Sequence, residues 1–248
     1  MYAGAPAVKR LVLALCLAAC AAMSVAQTAP DIPRFSAAHP GESPPGWQQL
    51  PLARYKNDTE YALVADDSLV VLKAVSRNAA SLFGININFD PRRFPLLSWR
   101  WKVLQGIPSA DTRDRKREDA PARLMVSFAG DARTLSAKDR TAAAIAESIS
   151  GQPLPYAELM YVWGGKVAVD SITTSTLTSR VRMIAVAADE QGIGQWQSYT
   201  RSLVEDFRRA FGEEPGNVTA IAVMTDTDNT GSYAETLYGD IRVQAAAR

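Results

Sequence analysis

Asp226, Asp228, Thr230 and Gly231 occupy the first, third, fifth and sixth places of a D-x-D-x-T-G segment, in which alternate side-chain oxygens can converge while glycine turns the backbone. Hard cations such as Ca²⁺ take about six to eight oxygen ligands, so Asp226, Asp228 and Thr230 are candidate metal ligands in a structural calcium site. The segment departs from an EF-hand, because Leu237 stands where that loop carries its bidentate glutamate. Glu235, Asn229 or Asp240 would have to complete the shell. The plainer reading comes first: Asp and Asn accept hydrogen bonds from nearby amides and shape a turn. Carboxylates this close repel unless a cation or donors compensate them, and Arg123 or Arg201 could be the donors.

A second group suggests recognition of a polar ligand. Asp119, Arg123, Arg201, Asp206, Asn229 and Asp240 offer acceptors and donors, and an arginine fork suits bidentate pairing with a carboxylate. Trp163 precedes Gly164 and Gly165, which would leave its indole open at the mouth of a sheet structure for stacking on a sugar ring. Each residue also has a structural reading: Arg123 as a polar residue at a strand entrance, Arg201 and Asp206 as surface charge on an amphipathic helix, Trp163 as core.

Common catalytic routes find little support. His39 is the one histidine and lies in a proline-rich stretch, which argues against an imidazole base or a histidine-rich zinc site in the folded part. Cys16 and Cys20 both fall in the N-terminal segment, so simple cleavage after Ala26 leaves no thiol. Carboxylate chemistry remains, with Asp119, Asp226, Asp228, Glu235 and Asp240 able to supply an acid and base pair of the glycosidase kind, but no spacing specifies a reaction.

The elements that must position these residues are mostly strands. Short apolar runs between turn residues predict strands at 61–64, 69–76, 82–89, 96–103, 123–128, 159–163, 172–178, 181–187, 218–224 and 238–243. Leu97, Trp99, Trp101 and Val103 alternate with Ser98, Arg100 and Lys102, the period of a sheet with one buried face. The continuously apolar 218–224 suits a strand covered on both sides. Helices are expected at 135–150, capped by Ser136 and packed on a sheet edge, and at 202–211, ended by Gly212 and Pro215. The run 111–119 mixes acids and bases and predicts a solvated loop. About ten strands and two minor helices without regular alternation predict an all-β sandwich of jelly-roll type, as one domain spanning 52–248.

Lys9 and Arg10, the apolar run Leu11 to Ala22 and the small residues Ser24 to Ala26 make 1–26 an export signal. The run is too short to span a bilayer. Leu17, Ala18, Ala19 and Cys20 also resemble a lipobox, so the mature protein is expected in the periplasm or secreted, with a lipid anchor at Cys20 as the alternative. Residues 27–51, with six prolines, read as a leader unable to sustain a helix or ladder, docked by Trp47 and Leu50. Among 248 residues, 27 basic and 26 acidic side chains give +1, which becomes −1 without Lys9 and Arg10, so no electrostatic footprint for nucleic acid exists.

Glu118-Asp119-Ala120-Pro121-Ala122-Arg123, Tyr161-Val162-Trp163-Gly164, the stretch from Arg201 through Glu205-Asp206-Phe207 to Pro215, and Met224 to Gly231 leading to Tyr238-Gly239-Asp240-Ile241 together resemble the bacterial family catalogued as domain of unknown function 3047. The resemblance runs from about Trp47 to Val243 and implies an exported single domain without naming an activity. The closing strand is also similar to that of galactose-binding-like jelly rolls, an analogy of fold alone. The function expected is non-catalytic binding of a polar ligand such as a glycan; the alternatives are a carboxylate-dependent glycan hydrolase and a structural envelope protein.

Overall fold

The computed structural model describes residues 29–188 and 190–246; the segment 1–26 expected to be an export signal, with Cys16 and Cys20, lies outside them. The clearest alternation in the sequence becomes the strand Leu96–Gln105, in which Leu97, Trp99, Trp101 and Val103 are all buried and the residues between them are not. In chain order the strands are β1 Gln48–Pro51, β2 Glu60–Asp66, β3 Leu69–Arg77, β4 Ser81–Phe89, β5 Leu96–Gln105, β6 Ala120–Phe128 and β7 Ala157–Trp163. They continue as β8 Ile172–Thr174, β9 Val181–Ala187, β10 Gln197–Ser202, β11 Val218–Asp226, β12 Tyr233–Tyr238 and β13 Arg242–Gln244. Two helices, α1 Ala137–Ser150 and α2 Leu203–Phe211, interrupt them.

The strands form a seven-stranded sheet in the order β1-β4-β11-β6-β7-β9-β8 and a six-stranded sheet whose path is β10-β5-β12-β3-β2, with β13 also on β5. From β3 to β6 the chain changes sheet at every step, and β11 and β12 later insert between strands already paired. The inner quartets β4-β11-β6-β7 and β3-β12-β5-β10 have the strand order of a jelly roll, so the fold is a β-sandwich of that type. Leu124, Val126 and Phe128 of β6, Tyr161 of β7 and Val223 of β11 face Trp99, Trp101 and Tyr238 of the other sheet in one apolar core. β11, central in its sheet, is buried along most of its length, as its unbroken apolar run predicts.

Several elements differ from expectation. The predicted strand at 238–243 is two strands, β12 and β13, parted at Gly239, Asp240 and Ile241. β10 carries no apolar alternation, because it is an edge strand on β5. The leader does enter a ladder: β1 pairs with β4 at the sheet edge, where Pro51, at the strand's end, forfeits little by lacking a donor. Trp47 docks as foreseen, 4% exposed between Phe35 and Phe83, and donates from Nε1 to the Pro33 carbonyl over 3.1 Å. The loop at 111–119 is less solvated than its charges suggest, because Asp111 and Asp119 are both buried.

α1 has its Ser136 cap, which accepts from the Asp139 amide, but no apolar stripe packs on the sheet. Asp139 is its one buried residue, and Ile145 and Ile149 are exposed. α2 buries Leu203, Phe207 and Ala210 in the core and ends at Gly212, whose φ of 73° is left-handed. No helix among the described residues is long and apolar enough to cross a membrane.

Candidate functional site

β6 begins where β11 ends, since Asp226 registers with Ala120, and β7 ends beside them, since Arg123 registers with Val162. One rim of the sandwich therefore gathers Asp119, Arg123, Asp226, Asp228, Asn229, Thr230 and Trp163. Asp226 is buried and accepts from the Ala120 amide at 2.8 Å, from Arg123 Nε at 3.0 Å and from Arg123 Nη2 at 3.2 Å. Arg123, itself 5% exposed, also donates to the Glu118 carbonyl and to the thioethers of Met183 and Met160. Asp119 is wholly buried, accepting from the Asn229 amide at 3.1 Å and from the Thr230 amide at 2.8 Å and hydroxyl. Gly231, at φ 63°, makes the turn that presents these amides.

Burial pushes the Asp226 carboxyl up to about 6; the Arg123 guanidinium opposes this and the charge of Asp119 adds to it. Glu158, on the outer face of β7, is pushed up to about 7 by burial, again with Arg123 opposing. One guanidinium thus lies in the field of Asp226, Glu118, Asp119 and Glu158.

Oxygens of Asp119, Asp226 and Asp228 lie within 4.8 Å of one another, close enough to share an ion. Each already faces donors, and for Asp228 the donor is the Lys56 ammonium at 2.5 Å. Lys56 belongs to the leader side of the chain, and no spacing connects it with Asp228. Tyr55, next to it in sequence, is 78% exposed.

Beside the cluster, a cleft of about 170 Å³ opens between the 106–108 and 163–166 segments, with Pro121 and Trp163 in its wall and Lys166 and Glu190 at its mouth. Trp163 is 2% exposed, so its ring is a wall and not the open stacking platform expected. Gly164 and Gly165 do not uncover it: Gly165, at φ 61°, brings the chain so close to Ala110 that an added Cβ would lie 2.3 Å from the Ala110 carbonyl oxygen. An isolated bridge between Asp111 and Gly165 closes the same side.

Three candidates lie elsewhere. Arg201 forks onto buried Asp206 at 2.7 and 2.6 Å, with Tyr161 donating to the same carboxylate at 3.0 Å. Asp170 and Arg209 extend this into a clamp on α2, so Asp206 is a buried tether and not surface charge. Asp240 accepts from the amide and hydroxyl of Ser36 at 3.0 and 2.7 Å and fastens the leader. Arg201 is therefore not the donor that compensates Asp226; Arg123 is.

The family described as "Protein of unknown function (DUF3047)" matches residues 45–242. The chain belongs to this family. Among solved structures, similarity is found to the family 11 carbohydrate-binding module of a cellulosomal cellulase of Clostridium thermocellum, at 9% identity and TM-score 0.42, covering 90% of this chain and 98% of that one. The xyloglucanase domain of NopAA from Sinorhizobium fredii is similar at 8% identity and TM-score 0.45, covering 83% and 95%. No curated protein matches the chain. The DUF3047 match spans both sheets and includes the whole rim.

Proposed function

We propose that this DUF3047 chain is an exported, non-catalytic domain that binds a polar ligand, a glycan, at the rim cleft. What carries the reading is the cleft itself: it has one aromatic wall, a cation and a carboxylate at its mouth, and a volume suited to a single sugar ring and below the roughly 300–1,000 Å³ of drug-sized sites. Asp226 accepts from the Ala120 amide next to Pro121, and the hydroxyls of Thr225 and Thr236 donate to the Pro121 carbonyl, so that wall is held in place and spares a ligand the cost of ordering it. A glycan array probed with wild type and with Lys166→Ala/Glu190→Gln tests this, because both changes are at exposed positions. Binding lost in the double variant supports it, and identical profiles sink it. Hydrolysis of an arrayed glycan, abolished by Asp226→Asn, would replace binding with catalysis. Mass spectrometry of the mature N-terminus decides between cleavage after Ala26 and lipidation at Cys20.

A second reading gives Asp226, Asp228 and Thr230, with Asp119, a calcium ion, and is favoured by the 4.8 Å convergence of the carboxylates. Calcium must displace Lys56, so Lys56→Ala should enlarge the rise in melting temperature that calcium produces. No rise in either protein, with chelator as control, removes this reading.

A further inference from the structure

On the outer face of the six-stranded sheet, Arg100 lies over Trp196, its guanidinium carbon 4.3 Å from the ring centroid. The indole is itself fixed, because its Nε1 donates to Asp66 over 2.9 Å. Lys102, the neighbouring cation, spends its charge on that same carboxylate at 2.7 and 2.9 Å. The stem of Arg100 crosses Gly239 so closely that a Cβ there would lie 2.6 Å from Cγ and Nε. Arg100 is thus pinned on both sides; its charge helps hold the Asp66 carboxyl below its ordinary range, yet its guanidinium has no hydrogen bond or ion pair at bonding distance with a described residue. A guanidinium has five donors in a planar fork that matches a carboxylate, and a pinned one loses little freedom on using them. Ser198 stands opposite Arg100 in the β10–β5 register, and two pairs further on the hydroxyls of Ser98 and Thr200 lie 3.0 Å apart on the same face.

We propose that Arg100 anchors a site for the carboxylate of an acidic sugar, with the Ser98, Ser198 and Thr200 hydroxyls meeting the hydroxyls of the same residue. The fork selects a planar oxyanion, and the row of small hydroxylated side chains leaves room for a ring lying along the sheet. This site is separate from the rim and does not depend on the rim reading.

Titration calorimetry at low ionic strength, with an oligomer of a uronic acid, the matched neutral oligosaccharide, acetate and sulfate, tests the proposal. The uronate oligomer should bind, and the neutral oligomer should not. Arg100→Lys keeps the charge but loses the fork, and should weaken binding about tenfold or more, the effect of one charge-assisted hydrogen bond. Gly239→Ala should do the same by driving Arg100 off Trp196, with circular dichroism and melting temperature reporting that the fold is kept. Lys166→Ala/Glu190→Gln should leave uronate binding unchanged, which separates this site from the rim. Equal binding of the neutral oligomer, equal affinity for acetate or sulfate, or an unaffected Arg100→Lys would overturn it.

Discussion

Arg123 and Asp226 compensate one another while almost wholly removed from water, a pairing that burial makes costly and that good geometry only partly repays. The balance leaves Asp226 short of charge compensation, hence its rise to about 6. The unfolded carboxyl ionises near pH 4, so between about 4 and 6 the folded protein alone retains the proton. Stability from this group is complete below about pH 4 and is lost as pH rises through 6. Asp226→Asn should remove that slope: compared with wild type, the variant should gain roughly 2–3 kcal/mol in relative stability between pH 4 and 7, at about 1.4 kcal/mol per pKa unit. Urea melts at a series of pH values read the slope independently of any constant offset, and parallel curves would contradict the assignment. Cation binding at the same carboxylate would act in the same sense as its proton.

Among the elements, α1 is the one held by polar contacts alone. Asp139 accepts from the hydroxyls of Ser136 and Thr178 at 2.7 Å and from the amide and hydroxyl of Ser179 at 2.8 Å, joining the helix to the turn before β9. Burial by itself would raise this carboxyl, but those donors outweigh it and hold it well below the usual range. Its contribution is therefore present above the ordinary carboxylate pKa and lost as pH falls. Asp139→Ala should release the helix: hydrogen exchange across 137–150 should approach the unprotected rate, while the strands keep their protection, since α1 buries almost no apolar surface. Loss of protection in β6 or β7 as well would show that α1 supports the sheet.

For the molecule as a whole, the leader is part of the sandwich. Trp47 fills the space between Phe35 and Phe83, and Asp240 ties Ser36 to the turn between β12 and β13 of the six-stranded sheet. Trp47→Ala should cost about 3–5 kcal/mol in chemical denaturation, the range for emptying a buried large aromatic site. A loss below about 1 kcal/mol would mean that the leader merely rests on the surface. With no cysteine among the described residues, this burial and the β1–β4 pairing carry the attachment.

Sequence alone determined the fold class, most strand positions, the Ser136 cap of α1 and the Gly212 stop of α2. These depend on local periodicity, on a glycine that can turn left-handed, and on side chains that bond backbone a few positions away, as that of Ser136 does. The β10 strand was invisible because an edge strand needs no apolar pattern, and the break between β12 and β13 because apolar and polar residues still alternate across it. The sequence marked Asp226, Arg123 and Arg201 but could not pair them: Asp226 finds Arg123 through the β11–β6 register, whereas Arg201 turns to Asp206 five residues away. Tertiary structure alone decided that Trp163 is a wall, that Lys56 meets Asp228, and that Trp196 pins Arg100. Such contacts follow from which strand ends share a rim and which faces turn outward, and jelly-roll crossing sets both across separations that no local pattern records.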